Sequence, residues 1–370
     1  MKALDTNNLE SWYASNFEKS LKGRRILFDD IQPIIEKLTA KFEKNILGYS
    51  ESGIPIYKIS IGSGHKKVLI WSQMHGNEST GTKAVFDLFK FIASNNIDNK
   101  EITTQILSNC TLEFIVLLNP DGAIKFTREN ANNIDLNRDA VNRAAVESNL
   151  LRDTLDSFNP QFCFNLHDQR SIFNVEGTPN PATISFLAPS EDIDRTLTNG
   201  RKETMSVIVA MNELLQQLIP NQIGRYTDEF YPTATGDNFQ KLGHNTILIE
   251  AGHFKDDYDR DITRKYNFYA LLQGLLFIAN NSTFSNYLPY FDIPNNDNKF
   301  LDIIYEDVST GTEAENKLED IGIQVKFKVE NGKLISYEDI EQKGDLSNFY
   351  TYNRIKKDNL KFFDLKLSNS

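Results

Sequence analysis

The sequence predicts an α/β fold: a mixed, mainly parallel central sheet with helices on both faces, plus a small C-terminal β-rich region. Two observations carry this reading. Short apolar runs such as Val68-Leu69-Ile70-Trp71 and Ile247-Leu248-Ile249 alternate with amphipathic helical patterns, the order that places parallel strands under helices on both sides. After about residue 285 the pattern changes to short strand candidates alone. With 370 residues, 40% apolar and 25% charged, the chain has ordinary globular composition and length for one large α/β unit and a smaller one. We divide it into a helical segment, 1–45, an α/β unit, 46–284, and a β-rich accessory region, 285–370.

The elements follow in order. Residues 1–45 read as helical, with Ile31, Ile34, Ile35, Leu38 and Phe42 on one face. Gly48 to Gly53 reads as a turn, and Ile54 to Ile61 alternates as a strand does. Gly62-Ser63-Gly64 then leads into the strand Lys67 to Trp71, which suggests an antiparallel pair at a sheet edge. Thr80 to Ile92 has helical spacing. Leu112 to Leu118 is a buried strand ending in Asn119-Pro120-Asp121-Gly122, a turn signal. Ser148–Phe158, Arg201–Ile219 and Tyr266–Ala279 read as helices, and Phe162–Leu166, Ile184–Ala188 and Ile247–Ile249 as strands. Asp292 to Asn298 reads as a linker or loop. Leu301–Asp307, Ile323–Val329 and Leu334–Tyr337 are strand candidates, with Asn331-Gly332 at the centre of a hairpin turn.

Bulk properties narrow the function classes. Cys110 and Cys163 make no disulfide framework and read as reduced, structural thiols. Met1 to Ser15 is polar, without the apolar core of a signal peptide, and no apolar run approaches the ~18 residues of a membrane span. The formal net charge of −11 argues against general nucleic-acid binding. A cytoplasmic enzyme, bound to neither membrane nor nucleic acid, is the expectation.

The chemistry concentrates at strand ends. His75-Gly76-Asn77-Glu78 follows the Val68–Trp71 run and precedes a helix. His167 ends Phe164-Asn165-Leu166-His167, and Glu250 ends Thr246-Ile247-Leu248-Ile249-Glu250. In open α/β sheets, sites gather at such carboxyl ends. Two imidazoles and a carboxylate suit Zn²⁺, one ion per chain, and three protein ligands leave a position open as catalytic zinc requires. Each residue has a plainer reading: His75 as a loop histidine, Glu78 at a helix N-terminus, His167 as a satisfied core histidine. Their occurrence together with an arginine-bearing polar loop tips the balance to a metal site. That loop, Phe126 to Arg138, carries Arg128, Asn137 and Arg138. Guanidinium forks bind carboxylates through paired hydrogen bonds and can steady an oxyanion. Glu250, buried at a strand end, is the candidate general base, unless it is ion-paired with Lys255.

This ordered set resembles the zinc metallocarboxypeptidases of the carboxypeptidase A and B type, over roughly residues 45–280. The matching pieces are His75-Gly76-Asn77-Glu78, Asn119-Pro120-Asp121-Gly122, Arg128, Asp135-Leu136-Asn137-Arg138, His167 and Glu250, with Gly48 to Tyr57 similar to the family's first hairpin. The resemblance implies that His75, Glu78 and His167 bind zinc. It implies that Arg128 polarises the scissile carbonyl, that Asn137 and Arg138 grip a free terminal carboxylate, and that Glu250 is the base. A substrate-capping tyrosine is matched by Tyr231 or Tyr226, with Tyr231 preferred. Asp237 would favour basic side chains in the specificity pocket and Gly236 would leave room for large ones; both stand as alternatives. Asp168-Gln169-Arg170 departs from the digestive enzymes and adds a cation near the metal. The expected activity is removal of C-terminal residues from a peptide, or hydrolysis of a small amide, carrying a free carboxylate. The alternatives are an N-acyl amino acid deacylase or desuccinylase of the aspartoacylase type, and a non-catalytic binding module on the same fold.

Overall fold

The computed structural model describes residues 4–94, 97–310 and 317–356. In chain order the elements are α1 (Thr6–Asn16), α2 (Phe28–Lys37), β1 (Glu43–Tyr49), β2 (Pro55–Ile61), β3 (Lys66–Ser72), α3 (Thr80–Ala93), α4 (Ile97–Asn109), β4 (Cys110–Ile115) and α5 (Pro120–Lys125). There follow α6 (Val146–Phe158), β5 (Phe162–Asp168), β6 (Asn174–Val175), β7 (Ile184–Leu187), α7 (Asn199–Leu215), β8 (Ile223–Arg225), α8 (Thr235–Lys241), β9 (Asn245–Ala251) and α9 (Asp261–Asn280). Beyond these lie β10 (Asn296–Asp297), β11 (Phe300–Ser309), β12 (Leu318–Glu330), β13 (Lys333–Gly344) and β14 (Tyr350–Lys356).

The main sheet has the order β1-β2-β4-β3-β5-β9-β7-β8. Its centre, β4-β3-β5-β9, is parallel, and antiparallel pairings join β2 to β4 and β7 to β9. The sheet is therefore mixed with a parallel heart. One face is covered by the helices α3, α7 and α9, which share a core with Val68, Ile70, Phe162, Phe164, Ile247 and Ile249. Leu69, Trp71 and Cys163 point the other way and meet Leu151 and Leu155 of α6 and Phe239 of α8. Strand alternation thus splits each run between two cores. The helix α9 is buried nearly all round, which explains why its pattern is apolar rather than amphipathic. Both cysteines are free and buried. No described helix is long and apolar enough to cross a membrane.

Several sequence expectations need correction. The helical span does not reach residue 45, because β1 begins at Glu43 and pairs antiparallel with β2. Gly48 and Tyr49 belong to that strand, so the turn is confined to Ser50–Gly53. The strands β2 and β3 are not neighbours, since β4 lies between them. Glycines let the connection cross the start of β4: a Cβ on Gly64 would sit 1.8 Å from the Asn109 carbonyl carbon, and Gly62 has φ +93°. Asn119-Pro120-Asp121-Gly122 is not a free turn but the start of α5. Asn119 Oδ1 accepts from Gly122 N at 2.8 Å, and Pro120 occupies the first turn, where no N–H is needed. The presumed linker 292–298 contains β10, which pairs with β6.

The C-terminal sheet has the order β13-β12-β11-β14. Its hairpin turn is at Asn331 and Gly332, with φ of 50° and 79°, the left-handed pair that a tight hairpin demands. The strand β14 runs parallel to β11 and was not anticipated. Residues 311–316 and 357–370 of the expected β-rich region lie outside the described residues. The sheet is tied to the α/β unit by Tyr258 Oη donating to Asp302 Oδ1 at 2.9 Å and Ser171 Oγ donating to Gln324 Oε1 at 2.8 Å. Its hairpin tip is held by Arg25, whose Nη1 donates to Gly332 O at 2.8 Å.

Candidate active site

The carboxyl ends of the parallel strands converge on one cavity of about 520 Å³. His75 and Glu78 lie between β3 and α3, and His167 is in β5. Glu250 of β9 is the direct register partner of His167, so the two side chains leave the sheet on the same side. His75, Glu78, Arg128, Asn137, Arg138, His167, Tyr231 and Glu250 all line this cavity. The order of β3 between β4 and β5 makes this the point where the sheet reverses its winding, the usual place for a ligand crevice.

At the centre, one ligand atom each from His75, Glu78 and His167 lie within 4.8 Å of one another. Glu78 Oε1 is 2.8 Å from His75 Nδ1, and Glu78 Oε2 is 2.8 Å from His167 Nδ1. The other nitrogen of His75, Nε2, is 3.2 Å from Asp135 Oδ1, and Arg128 Nη1 is 3.2 Å from His75 Nδ1. A proton on Nε2 donates to Asp135 and leaves the Nδ1 lone pair to accept from Arg128, a tautomer assigned from the hydrogen-bond network. That lone pair then faces a carboxylate oxygen at hydrogen-bond distance, an arrangement a bound cation would stabilise. The donor set of two imidazoles and one carboxylate fits zinc, with Asp135 orienting a ligand from behind. Although burial opposes it, the two imidazoles hold the Glu78 carboxyl well below the usual range.

Asp135 is the residue whose role sequence reading missed. It sits at the start of a single 3-10 turn, Leu136–Arg138, where Oδ1 accepts from Asn137 N at 2.8 Å. Oδ2 accepts from Arg128 Nε at 2.8 Å. One carboxylate thereby sets His75, Arg128 and the backbone of Asn137. Its position three residues before Arg138 in a polar loop was the available signal.

Glu250 is half-buried, and its Oε2 is buried without a hydrogen-bond partner. Burial, reinforced by Glu78 and Asp168, pushes its carboxyl well above the usual range. No ion pair with Lys255 forms; that ammonium lies over the Tyr352 ring instead, 5.6 Å from its centroid. Glu250 is thus a carboxyl in the cavity without a cationic partner among the described residues, which suits proton transfer.

Asn137 and Arg138 line the same cavity. Asn137 Oδ1 accepts from Thr235 N at 3.0 Å, so it also fixes the start of α8. Arg138 is exposed, with its Nη1 donating to Asn137 O at 2.7 Å and its guanidinium 5.5 Å from the Tyr231 ring centroid. Tyr231 Oη donates to Glu229 at 3.0 Å. Tyr226 lines the same cavity nearer the acid groups: burial first, then Glu250 and Glu78, raise its phenol above the usual range. The two tyrosines therefore have different surroundings: Tyr231 lies against Arg138, and Tyr226 feels the charges of Glu250 and Glu78. Burial also raises the Asp237 carboxyl to about 6.

Residues 34–201 match the zinc carboxypeptidase family. That match spans a little under half of the chain. Among curated relatives, a protein of Trichophyton verrucosum named "Probable carboxypeptidase 2" is 27% identical over 196 residues, which covers 50% of this chain and 34% of that protein. The chain thus spans about a third of that relative's length. Solved metallo-carboxypeptidase structures share the fold. The metallo-carboxypeptidase of Burkholderia cenocepacia aligns with TM-score 0.52 and 17% identity, covering 67% of this chain and 66% of its own. The metallo-carboxypeptidase of Pseudomonas aeruginosa, solved with (2-guanidinoethylmercapto)succinic acid, gives TM-score 0.54 and 15% identity over 68% of each chain. Neither the family match nor these likenesses favours a deacylase of the aspartoacylase type.

Proposed function

We propose that this protein is a zinc-dependent metallocarboxypeptidase that removes C-terminal residues from peptides. One observation carries the reading: the metal-binding triad, an unpaired Glu250 and the Asn137–Arg138 pair line a single cavity. His75, Glu78 and His167 would hold one zinc ion per chain, with Asp135 orienting His75. Zinc would supply Lewis-acid activation of the scissile carbonyl and of water. Glu250 takes the proton from the attacking water and delivers it to the leaving amine. Arg128, held by Asp135, directs its guanidinium at the oxygen that becomes negative. Arg138 and Asn137 bind the terminal carboxylate, and Tyr231, stacked on Arg138, covers it from the solvent side. The family match, the fold and this shared cavity support the reading.

The test is substrate polarity. A peptide and its C-terminal amide differ only in the charge that Arg138 would bind. The amide is expected to lose about 1.5–3 kcal/mol of transition-state binding, the worth of hydrogen bonds to a charged group. Arg138→Ala is expected to erase most of that difference. Equal cleavage of acid and amide by the unmodified protein would refute the carboxylate clamp and, with it, the exopeptidase reading.

A further inference from the structure

A second cleft of about 410 Å³ opens from the metal site on the side away from Arg138. It shares Glu78, Arg128, Asp168, Gln169 and Arg170 with the first cavity, so the two adjoin at Glu78 and Arg128. Its far wall comes from outside the family match: Arg24 from the N-terminal segment, and Lys326, Phe327 and Tyr337 from β12 and β13. Five cationic side chains line it, against the carboxylates of Glu78 and Asp168.

Most of these cations are already engaged. Arg128 pairs with Asp135 at 2.8 Å, and Arg260 lies 3.3 Å from Asp168. Arg170 pairs with Glu341 at 2.6 Å, and Lys326 with Asp339 at 2.5 Å. Arg24 differs. Its guanidinium lies 4.8 Å from the Phe327 ring centroid and has no ion pair among the described residues. Burial and Arg260 disfavour its charge, while Asp168, Asp257 and Asp259 oppose that effect. A guanidinium laid on an aromatic ring, with its edge donors uncommitted, is organised to receive an anion. The wall is also braced, because the neighbouring Arg25 holds the hairpin tip at Gly332.

We propose that this cleft is an anion subsite for the part of the substrate that precedes the scissile bond. Its ligand is a peptide bearing a side-chain carboxylate one or two residues upstream, and Arg24 is its main contact. The direction follows from the cavities. A chain with its terminal carboxylate at Arg138 and its scissile carbonyl at Arg128 has its preceding residues on the other side of the metal ligands, where the cleft begins. The proposal rests on the peptidase reading above.

The experiment uses the zinc-loaded full chain and N-acetylated pentapeptide pools. The pools are randomised at the C-terminal residue and carry either Glu or Gln at the two positions before the scissile bond. Both trimming and retention by ultrafiltration are read by mass spectrometry. The Glu pool is expected to be trimmed about tenfold faster, the scale of one charge-assisted contact. Arg24→Gln is expected to bring that ratio below about twofold, while Arg24→Lys, which keeps the charge and controls for folding, preserves a preference. Equal trimming of both pools would overturn the subsite and leave the peptidase reading standing. A Glu preference that survives Arg24→Gln would overturn the role of Arg24. Arg24-dependent retention of the Glu pool without trimming would uphold the subsite and overturn the peptidase; no selective retention and no trimming would overturn both.

Discussion

Asp135 shows how much one side chain can decide. It touches His75 and Arg128, so the proposed zinc ligand and the proposed oxyanion contact share one support. Glu250 and His167 sit opposite each other in register, yet their expected losses differ in kind. Glu250→Gln keeps shape and hydrogen bonding but cannot take a proton, and should lower kcat by about 10²–10⁴ with zinc retained. His167→Ala removes a donor and should lower zinc content by metal analysis, with the fold intact because the main core does not depend on the site. A Glu250→Gln protein with normal turnover, or a His167→Ala protein with full zinc, would refute the respective role. The placement of His75, Glu78, His167, Arg128, Asn137, Arg138 and Glu250 in one cavity was legible in the sequence because each follows or ends a buried strand or sits in one polar loop. Tyr226 and Tyr231 were harder. Both occur in a stretch without periodic pattern, so only their surroundings separate them: Glu229 and Arg138 for one, Glu250 and Glu78 for the other.

At the level of elements, the turn between β3 and α3 is set by contact with α5. A Cβ on Gly76 would lie 1.9 Å from the Gly122 carbonyl carbon and 2.2 Å from Ala123 N, both backbone atoms that cannot rotate away. Gly76→Ala should therefore separate the two segments, costing about 1–3 kcal/mol of stability as overpacking does, and displace His75 enough to weaken zinc binding. Denaturant melts and zinc titration would show both effects together; an unchanged melt and affinity would mean that the contact is soft. Strands and helices of the parallel heart were readable because burial on both faces leaves long apolar runs. Their neighbours were not. Gly62-Ser63-Gly64 looks like a hairpin turn, but adjacency in the chain carries no information about β4, which inserts from 50 residues later by the sequence numbering of Leu112 against Gly62. The helix α4 was overlooked because its sequence, Ile97 to Asn109, is polar over most of its length and has little apolar periodicity. Asn119-Pro120 carried the right local chemistry, since the residues that open turns also cap helices.

For the whole molecule, the N-terminal segment is part of the main core rather than an appendage. Leu9, Trp12 and Tyr13 are buried in the same cluster as α9. Asp87 of α3 accepts from Arg264 Nε and Nη2, each at 2.6 Å, and Arg264 Nη1 donates to Leu21 O at 2.7 Å. Asp87→Ala would leave a buried guanidinium without its counter-charge, so a loss of about 3–5 kcal/mol is expected in urea unfolding. A shift below about 1 kcal/mol, the scale of an exposed pair, would show that water replaces the carboxylate there. The position of β9 has a different consequence, one of timing. It occupies the slot between β5 and β7, yet both of those strands are made earlier. A chain emerging from the ribosome must carry β5 with a bare, apolar edge while roughly eighty further residues are added, the distance from His167 to Glu250. An unpaired edge of that kind invites pairing with other chains. Only when β9 slides in is the edge closed, and the same event brings Glu250 beside His167. The nascent chain therefore cannot bring Glu250 beside His167 until its riskiest exposed edge has been sealed.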